Sequence, residues 1–253
     1  MNDVLKGKLE LLCKELKLAG IRQQWQTLTR QASEKAMEYG EFLLMCLEEE
    51  HITRQNKRLL TLLKQARLPV KKTLEGFDFK EMPSLSKTKV LQLANNDYIR
   101  RRENIICVGK PGTGKTHISL ALALAAVNEG IRVRFTTVMQ LIQELQLAQQ
   151  EYRLPRYLKQ WNKFDLVICD ELGYVPLGEG GKLLFQFISS RYESASLIIT
   201  TNLEFSKWIE VFGDTTITAA LLDRLTHHSK ILLFEGESFR FKESLQKREK
   251  EKG

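Results

Sequence analysis

A glycine-rich octet near the middle of this 253-residue chain has the residue types and spacing of a phosphate-binding loop. It reads GKPGTGKT and consists of Gly109, Lys110, Pro111, Gly112, Thr113, Gly114, Lys115 and Thr116. The glycines allow a tight turn whose backbone N–H groups surround a β-phosphate, and Lys115 brings positive charge to the β- and γ-phosphate oxygens. The Thr116 hydroxyl is a suitable ligand for Mg²⁺. The octet therefore predicts binding of a nucleoside triphosphate together with Mg²⁺.

The segments on both sides of this loop are those that such a loop requires. Residues 104–108, NIICV, form a short apolar run typical of a buried parallel strand. Residues 117–127, HISLALALAAV, are apolar over a length that suits a buried helix. A helix that begins at the loop points the positive end of its dipole at the phosphates. His117 begins this stretch, and we include it in the predicted nucleotide site.

Two adjacent carboxylates, Asp170 and Glu171, follow an apolar run at residues 166–169. Successive side chains diverge at the end of a strand, so one carboxylate can hold the metal while the next faces the γ-phosphate. We assign Asp170 to Mg²⁺ and Glu171 to polarising the attacking water. An acidic turn after a strand is common by itself, and the upstream phosphate-binding loop is what favours a catalytic pair here.

Three further polar residues are candidates for the same site. Asn202 ends the next apolar strand, where its amide can position the lytic water or simply form a turn. Arg224 precedes the last predicted strand and Arg240 follows it. Phosphoryl transfer requires positive charge on the γ-phosphate, which arginine supplies, often from a neighbouring subunit. Either arginine can equally be an ordinary surface or ion-paired residue.

A group of basic residues with interleaved aromatic residues lies between the second and third predicted strands. Its cations are Arg153, Arg156, Lys159 and Lys163. Their spacing of i, i+3, i+6 and i+10 drifts slowly around a helix, which predicts one face that contacts DNA phosphates. The alternative is a solvated helix face over a hydrophobic anchor.

Composition limits the class of protein without identifying it. The net charge of +8 favours a polyanionic partner, and the 43% hydrophobic content is ordinary for a globular protein. The four cysteines form no C-x-x-C pair, which fits core thiols in a reducing cytoplasm. No apolar run reaches 18 residues, and the first residues do not resemble a signal peptide, so we expect no membrane association and a cytoplasmic location.

The order of apolar segments predicts two domains. Residues 1–67 have helical periodicity throughout and predict a small all-α domain for oligomerisation or for contact with DNA or a partner. Residues 68–253 alternate five apolar strands with helices, which predicts a three-layer α/β fold with a mostly parallel sheet. About 20 residues follow the last strand, so we expect no sizeable C-terminal lid domain.

A small-GTPase interpretation fails on the order of its motifs. The N-K-x-D pattern at residues 162–165 matches a guanine-binding motif, but it precedes the strand that ends at Asp170. Nucleotides bind beyond the carboxyl ends of parallel strands. A strand of five residues separates the two ends by about 16 Å, too far for N-K-x-D to contact the base of a nucleotide at Lys115.

Taken together, these residues resemble the IstB-like ATPases, the transposition helpers of insertion sequences and relatives of the DnaC helicase loader and the DnaA initiator in the AAA+ class. The resemblance extends over nearly the whole chain. It rests on the LEGFDF segment at residues 74–79, GKPGTGKTH, CDELGYVP, TTN and LLDRL. Its most specific part is VICDELGY at residues 167–174.

This resemblance implies roles for individual residues. Lys115 and Thr116 belong to Walker A, and Asp170 and Glu171 to Walker B. It further implies that Asn202 is sensor 1, Arg224 the arginine finger, Arg240 the sensor-2 arginine and residues 138–163 a DNA-facing insertion. Without a lid domain the role of Arg240 is less secure than that of Arg224. The expected activity is ATP hydrolysis with Mg²⁺, with ATP-dependent self-association on duplex DNA and stimulation of a cognate transposase.

Two other classes of function remain open from the sequence. A DnaC-like loader of a replicative helicase has the same ATPase motifs but acts on a hexameric protein. A small-molecule kinase also uses a phosphate-binding loop, but it needs no basic face and seldom follows the metal-binding Asp directly with Glu. The adjacent pair Asp170 and Glu171 therefore disfavours the kinase.

Overall fold

The computed structural model describes residues 3–173 and 176–239. The chain divides into two compact units, residues 1–61 and residues 62–253. This division falls inside a long helix, whereas the sequence predicts a domain boundary at residue 67, after the helix ends. The helical periodicity continues across position 61, so the sequence contains no signal for a division there.

The smaller unit is helical. It consists of α1 (Asp3–Glu15), α2 (Ala19–Glu34) and most of α3 (Tyr39–Ala66). Glu50 of α3 accepts a hydrogen bond of 2.7 Å from the backbone N–H of Gly20 and one of 2.6 Å from Arg54 Nε. No side chain of its own segment caps α2, so this carboxylate stabilises the exposed N–H groups of its first turn.

The larger unit alternates helices and strands. Before the sheet come a 3-10 helix (Phe79–Glu81), α4 (Lys87–Leu93) and α5 (Asp97–Arg100). Then follow β1 (Asn104–Gly109), α6 (Lys115–Asn128), β2 (Val133–Thr137), α7 (Val138–Gln150), α8 (Leu154–Trp161) and β3 (Leu166–Leu172). The remaining elements are α9 (Glu179–Arg191), β4 (Ser196–Thr201), a 3-10 helix (Phe205–Lys207), α10 (Trp208–Phe212), α11 (Thr215–Thr226) and β5 (Ser229–Phe234).

The five strands form one sheet in the order β2-β3-β4-β1-β5, and each neighbouring pair is parallel. Successive strand residues face opposite sides. Ile106 belongs to the core shared with α7, α9, α10 and α11, whereas Cys107 contacts Ser119 of α6 at 3.8 Å. Helices therefore cover both faces, and the predicted three-layer fold with a parallel sheet is confirmed.

Some elements differ from the sequence prediction. The short helices α4, α5 and α10 are absent from it, and α9 begins at Glu179, whereas the apolar pattern of the sequence predicts a helix only over residues 183–192. Two consecutive glycines in the first turn of α9 obscured this start. A Cβ at Gly180 would lie 2.5 Å from Ile142 of α7, so glycine there allows the two helices to approach closely.

All four cysteines are buried and unpaired, which confirms the prediction of core thiols for the two that lie in strands. Cys107 lies in β1 and Cys169 in β3, and burial raises the pKa of each thiol to about 12. In the described part of the chain, no helix has both the length and the apolar character needed to cross a membrane.

Candidate nucleotide-binding site

The glycine-rich loop connects the end of β1 to the start of α6, at the carboxyl edge of the sheet. Lys115 Nζ donates hydrogen bonds to Gly109 O (2.7 Å) and Lys110 O (2.8 Å), which hold the ammonium group within the loop. The Thr113 hydroxyl donates to Lys110 O (2.8 Å) and closes the turn. The loop is therefore a compact turn with a positive charge inside it, directly before the N-terminus of a helix.

Asp170 is the centre of a hydrogen-bonded group at the end of β3. Thr116 Oγ1 lies 2.9 Å and 3.1 Å from its two carboxylate oxygens. Thr200 Oγ1 donates to Asp170 Oδ1 (2.5 Å) and accepts from the backbone N–H of Glu171 (2.9 Å). A hydroxyl and a carboxylate at this separation are the oxygen ligands that Mg²⁺ prefers, so these residues fit the metal that the fold implies.

A β-bulge separates the two carboxylates. Cys169 and Leu172 of β3 pair with residues of β4 that are one position closer together, so β3 contains an extra residue here. Glu171 has φ of +65°, a left-handed conformation that is rare for residues other than glycine. As a result Asp170 is 4% exposed while Glu171 is exposed and lines the cavity described next. The bulge, rather than strand alternation alone, directs the two side chains apart.

A cavity of about 510 Å³ opens beside the loop, a volume typical of small-molecule sites. One wall is the segment that precedes the sheet, including Val70, Lys72 and Phe77. The Phe77 ring packs against the loop: a Cβ at Gly114, where φ is +96°, would lie 2.5 Å from it. His117 Nε2 donates to Thr73 O (2.9 Å), so the predicted site residue His117 fixes this wall.

The segment after β5 covers the loop from another side. The backbone N–H of Phe239 donates to Gly112 O (2.9 Å), and the Phe239 ring contacts Phe77 with 5.9 Å between centroids. A Cβ at Gly112, where φ is +77°, would lie 2.1 Å from Ser238 Oγ. Neither these aromatic residues nor Thr200 is a site residue that the sequence predicts. The spacing of Phe77 and Phe79 in LEGFDF is a local pattern that could have pointed to an aromatic wall. Phe239 reaches Phe77 only through the tertiary structure.

The structure brings most of the predicted nucleotide residues to this cavity. Gly112, Gly114, Lys115, Thr116, His117 and Glu171 line it, while Gly109, Lys110, Pro111 and Thr113 complete the loop. Asn202 lies next to it: its Oδ1 is buried without a hydrogen-bond partner among the described residues, 3.3 Å from the position of a Cβ on Gly173. A buried amide oxygen without a partner favours contact with a water molecule.

The two predicted arginines are placed differently. Arg224 lies in the last turn of α11, where Nη1 donates to Ala220 O (3.1 Å) and the guanidinium lies 4.8 Å from the Phe185 ring centroid. This turn precedes β5, so the length of that strand, about 20 Å, separates Arg224 from the carboxyl edge. Arg224 therefore lies away from the nucleotide cavity of its own chain. Arg240 lies outside the described residues.

The basic group differs from the predicted continuous helical face. Helix α8 ends at Trp161, so Lys163 lies beyond it, with Nζ 5.1 Å from the Phe164 ring centroid. The extrapolated spacing is therefore wrong for Lys163. Arg153 is the N-cap residue of α8 and forms an ion pair with Glu151. Arg156 and Lys159 are the two cations within the helix, and both are exposed.

The sequence of this chain matches a known family and its relatives. Residues 11–247 match the family described as IstB-like ATP binding protein. The ATP-binding protein of insertion sequence IS21 from Pseudomonas aeruginosa is 44% identical over 93% of this chain and 89% of its own. That of insertion sequence IS5376 from Geobacillus stearothermophilus is 36% identical over 98% of this chain and 99% of its own.

Solved structures show the same fold at lower identity. A crystal structure of DnaI aligns with a TM-score of 0.55 at 16% identity, covering 66% of this chain and 90% of that chain. DnaA from Aquifex aeolicus, bound to AMPPCP, aligns with a TM-score of 0.55 at 22% identity, covering 72% of this chain and 56% of that chain. Both likenesses show that this chain shares their fold.

Proposed function

Because the chain belongs to the IstB-like ATP binding protein family, we propose that it hydrolyses ATP to ADP and phosphate, assembles on duplex DNA and assists a transposase in insertion-sequence transposition. The observation that supports hydrolysis most is the arrangement around Asp170. Its buried carboxylate contacts the Thr116 hydroxyl, and the bulge directs the neighbouring Glu171 into the cavity. A site for binding alone has no need of this second carboxylate.

The phosphates of ATP bind the backbone N–H groups of the loop and the positive end of α6. Lys115, held within the loop, neutralises the β- and γ-phosphate oxygens. Thr116 and Asp170 hold Mg²⁺, which when bound neutralises charge on the phosphate oxygens and orients them. Thr200 fixes the Asp170 carboxylate through a hydrogen bond of 2.5 Å. The cavity wall that includes Val70 and Phe77 supplies an apolar surface for the base.

Glu171 acts as the general base in this proposal. Its exposed carboxylate accepts a proton from the attacking water, and the Asn202 amide orients that water. Arg224 lies at the opposite edge of the sheet from the nucleotide site of its own subunit. It therefore contributes positive charge to the γ-phosphate bound by a neighbouring subunit. Arg240 remains a proposed sensor arginine.

The proposal for DNA binding rests on the net charge of +8 and on the exposed cations of α8. Residues 138–163 form the DNA-facing insertion, and residues 1–67 serve oligomerisation or contact with DNA or a partner, in the cytoplasm of a bacterium. Subunits that share a nucleotide through Arg224 couple ATP binding to assembly. The transposase then recognises the assembled form.

The experiment that tests this function measures ATPase activity and particle size together, with and without duplex DNA and with ATP or ADP. We expect larger particles with ATP and DNA together than with ATP alone or DNA alone. We also expect DNA to raise the turnover of ATP. Absence of turnover in all conditions would contradict the enzymatic proposal. Stimulation by a hexameric helicase but not by DNA would favour the helicase-loader alternative.

A further inference from the structure

A second cavity, of about 360 Å³, lies at the edge of the sheet formed by β2. We call it the basic pocket. Its lining includes Arg67, Arg134, Lys163, Glu144, Tyr157 and Trp161. These residues come from the end of α3, from β2, from α7 and from α8 with the turn that follows it. Only Lys163 belongs to the DNA-contacting set that spacing predicts.

Arg134 is held in place at the centre of this pocket. Its guanidinium carbon lies 5.9 Å from the Trp161 ring centroid and 5.8 Å from that of Phe164. Nη1 donates to Gln65 O (3.2 Å), a carbonyl of the last turn of α3 that has no partner within the helix. The side chain is therefore already ordered, so a ligand of its remaining donors requires little further loss of conformational freedom.

The pocket lining contains three positive charges and one carboxylate, so positive charge is in excess. Among residues 3–173 and 176–239, Arg67, Arg134 and Lys163 form no ion pair within 4.0 Å. The one carboxylate in the lining, Glu144, accepts a hydrogen bond from the Tyr157 hydroxyl. Burial and then the like charge of Arg67 lower the pKa of Arg134. The negative charge of Glu144 raises that pKa, and an anion bound between these cations would act in the same direction.

The backbone of Arg67 has a left-handed conformation, which decides how this residue can be replaced. Arg67 directly follows the last residue of α3 and has φ of +50°. Glycine is the residue that most often occupies this position after a helix, because a Cβ disfavours the left-handed conformation. Lys17, Ala36 and Tyr152 have the same conformation after other helices of this chain, so it marks no function by itself, but it allows glycine to replace Arg67 without backbone strain.

We propose that the basic pocket binds a backbone phosphate of DNA and extends the DNA-contacting surface from α8 to the β2 edge of the sheet. This inference rests on the DNA binding proposed above. A phosphodiester fits better than a protein carboxylate because three cations converge on one cavity and because Arg156 and Lys159 continue the positive charge along α8. Arginine presents several N–H donors to phosphate oxygens in a fixed geometry.

The test compares three variants in fluorescence anisotropy titrations of a 20-base-pair duplex across a series of salt concentrations. Arg134→Met removes the charge but retains the stem that packs against Trp161. Arg67→Gly removes a charge while favouring the observed backbone. Lys89→Ala is the matched control, since it also removes one positive charge but lies beside β5, the opposite edge strand. Thermal unfolding of each variant shows that it is folded.

We expect Arg134→Met and Arg67→Gly each to weaken binding about 5- to 10-fold at 0.1 M salt and to reduce the slope of log K against log salt by about 0.9. Lys89→Ala should match the wild-type protein in both. Wild-type affinity and slope in folded Arg134→Met and Arg67→Gly would overturn the pocket while leaving DNA binding intact. If the wild-type protein does not bind the duplex, both the proposed DNA binding and the proposed phosphate binding in the basic pocket are wrong. Loss of transposase binding with unchanged DNA binding would identify an acidic protein surface instead.

Discussion

The nucleotide site and the basic pocket are built in opposite ways. In the nucleotide site, eight consecutive residues form the loop, and hydrogen bonds of 2.5 to 2.9 Å connect Asp170 to Thr116 and Thr200. In the basic pocket, the cations come from separate segments, and two of them, Arg134 and Lys163, lie over aromatic rings. The first site therefore depends on backbone geometry that single residues fix, and the second on summed charge.

This difference predicts two kinds of response to substitution. A substitution in the nucleotide site removes an interaction made only with the reacting phosphate or with a metal ligand, so its effect on turnover should reach orders of magnitude. A substitution on the basic surface removes one of several similar charges, so its effect should be graded and should vanish at high salt.

The largest effect is expected from the residues that contact the phosphates. Glu171→Gln should lower turnover by about 10²- to 10⁴-fold without loss of ATP binding, because it removes the base while keeping the shape. Lys115→Ala should instead weaken ATP binding and prevent assembly. Turnover and nucleotide affinity are measured separately for both variants. Wild-type turnover by Glu171→Gln would show that this carboxylate is not the base.

A somewhat smaller loss, about 10²-fold, is expected for Arg224→Ala, because it removes one stabilising charge from the transition state. Its position away from its own cavity predicts that a neighbour supplies it. Mixing Arg224→Ala protein with Lys115→Ala protein should restore part of the ATPase activity, since some interfaces then combine an intact loop with an intact arginine. No recovery at any ratio, with assembly verified by sizing, would contradict action between subunits.

Replacing Thr200, which forms hydrogen bonds with Asp170 and Glu171, should have an intermediate effect on turnover. Thr200→Val keeps the shape but leaves the Glu171 N–H without its acceptor and Asp170 with one hydroxyl donor, Thr116, in place of two. We expect about 10-fold lower turnover and a loss of about 1 to 3 kcal/mol in the free energy of unfolding. Thr200→Ser retains the hydroxyl and is the matched control, which should remain close to wild type in both. Equal turnover for Val and Ser would exclude this role for the hydroxyl.

The smallest effect per residue is expected on α8. Alanine at Arg153, Arg156 and Lys159 together should reduce the salt slope of DNA binding by about two units, at about 0.9 per phosphate contact. The ion pair of Arg153 with Glu151 is why we expect less than the full three contacts. Duplex titrations are run with sizing, because these residues can also lie at a subunit junction. If the salt slope of DNA binding is unchanged, α8 is not the DNA contact, and we would then expect the helical N-terminal domain to contact DNA.

The same contrast explains how much could be predicted from the sequence. The loop, the five strands and the order of helices depend on local patterns, and the structure has them nearly where periodicity places them. Thr200, Phe77 and Arg134 were missed as site residues because their partners lie far away in the chain. The bulge could not be predicted either, because Glu171, the residue in the left-handed conformation, is not a glycine.

The buried thiols of Cys107 in β1 and Cys169 in β3 can report when the central sheet opens. Only a thiolate reacts with common thiol reagents, and a pKa of about 12 leaves almost none at neutral pH in the closed structure. Labelling therefore measures how often the strands beside Lys115 and Asp170 open. Nucleotide that binds only the closed form should slow the labelling of these two thiols in proportion to its occupancy, and peptide mapping distinguishes them from Cys13 and Cys46, so affinity can be measured without turnover.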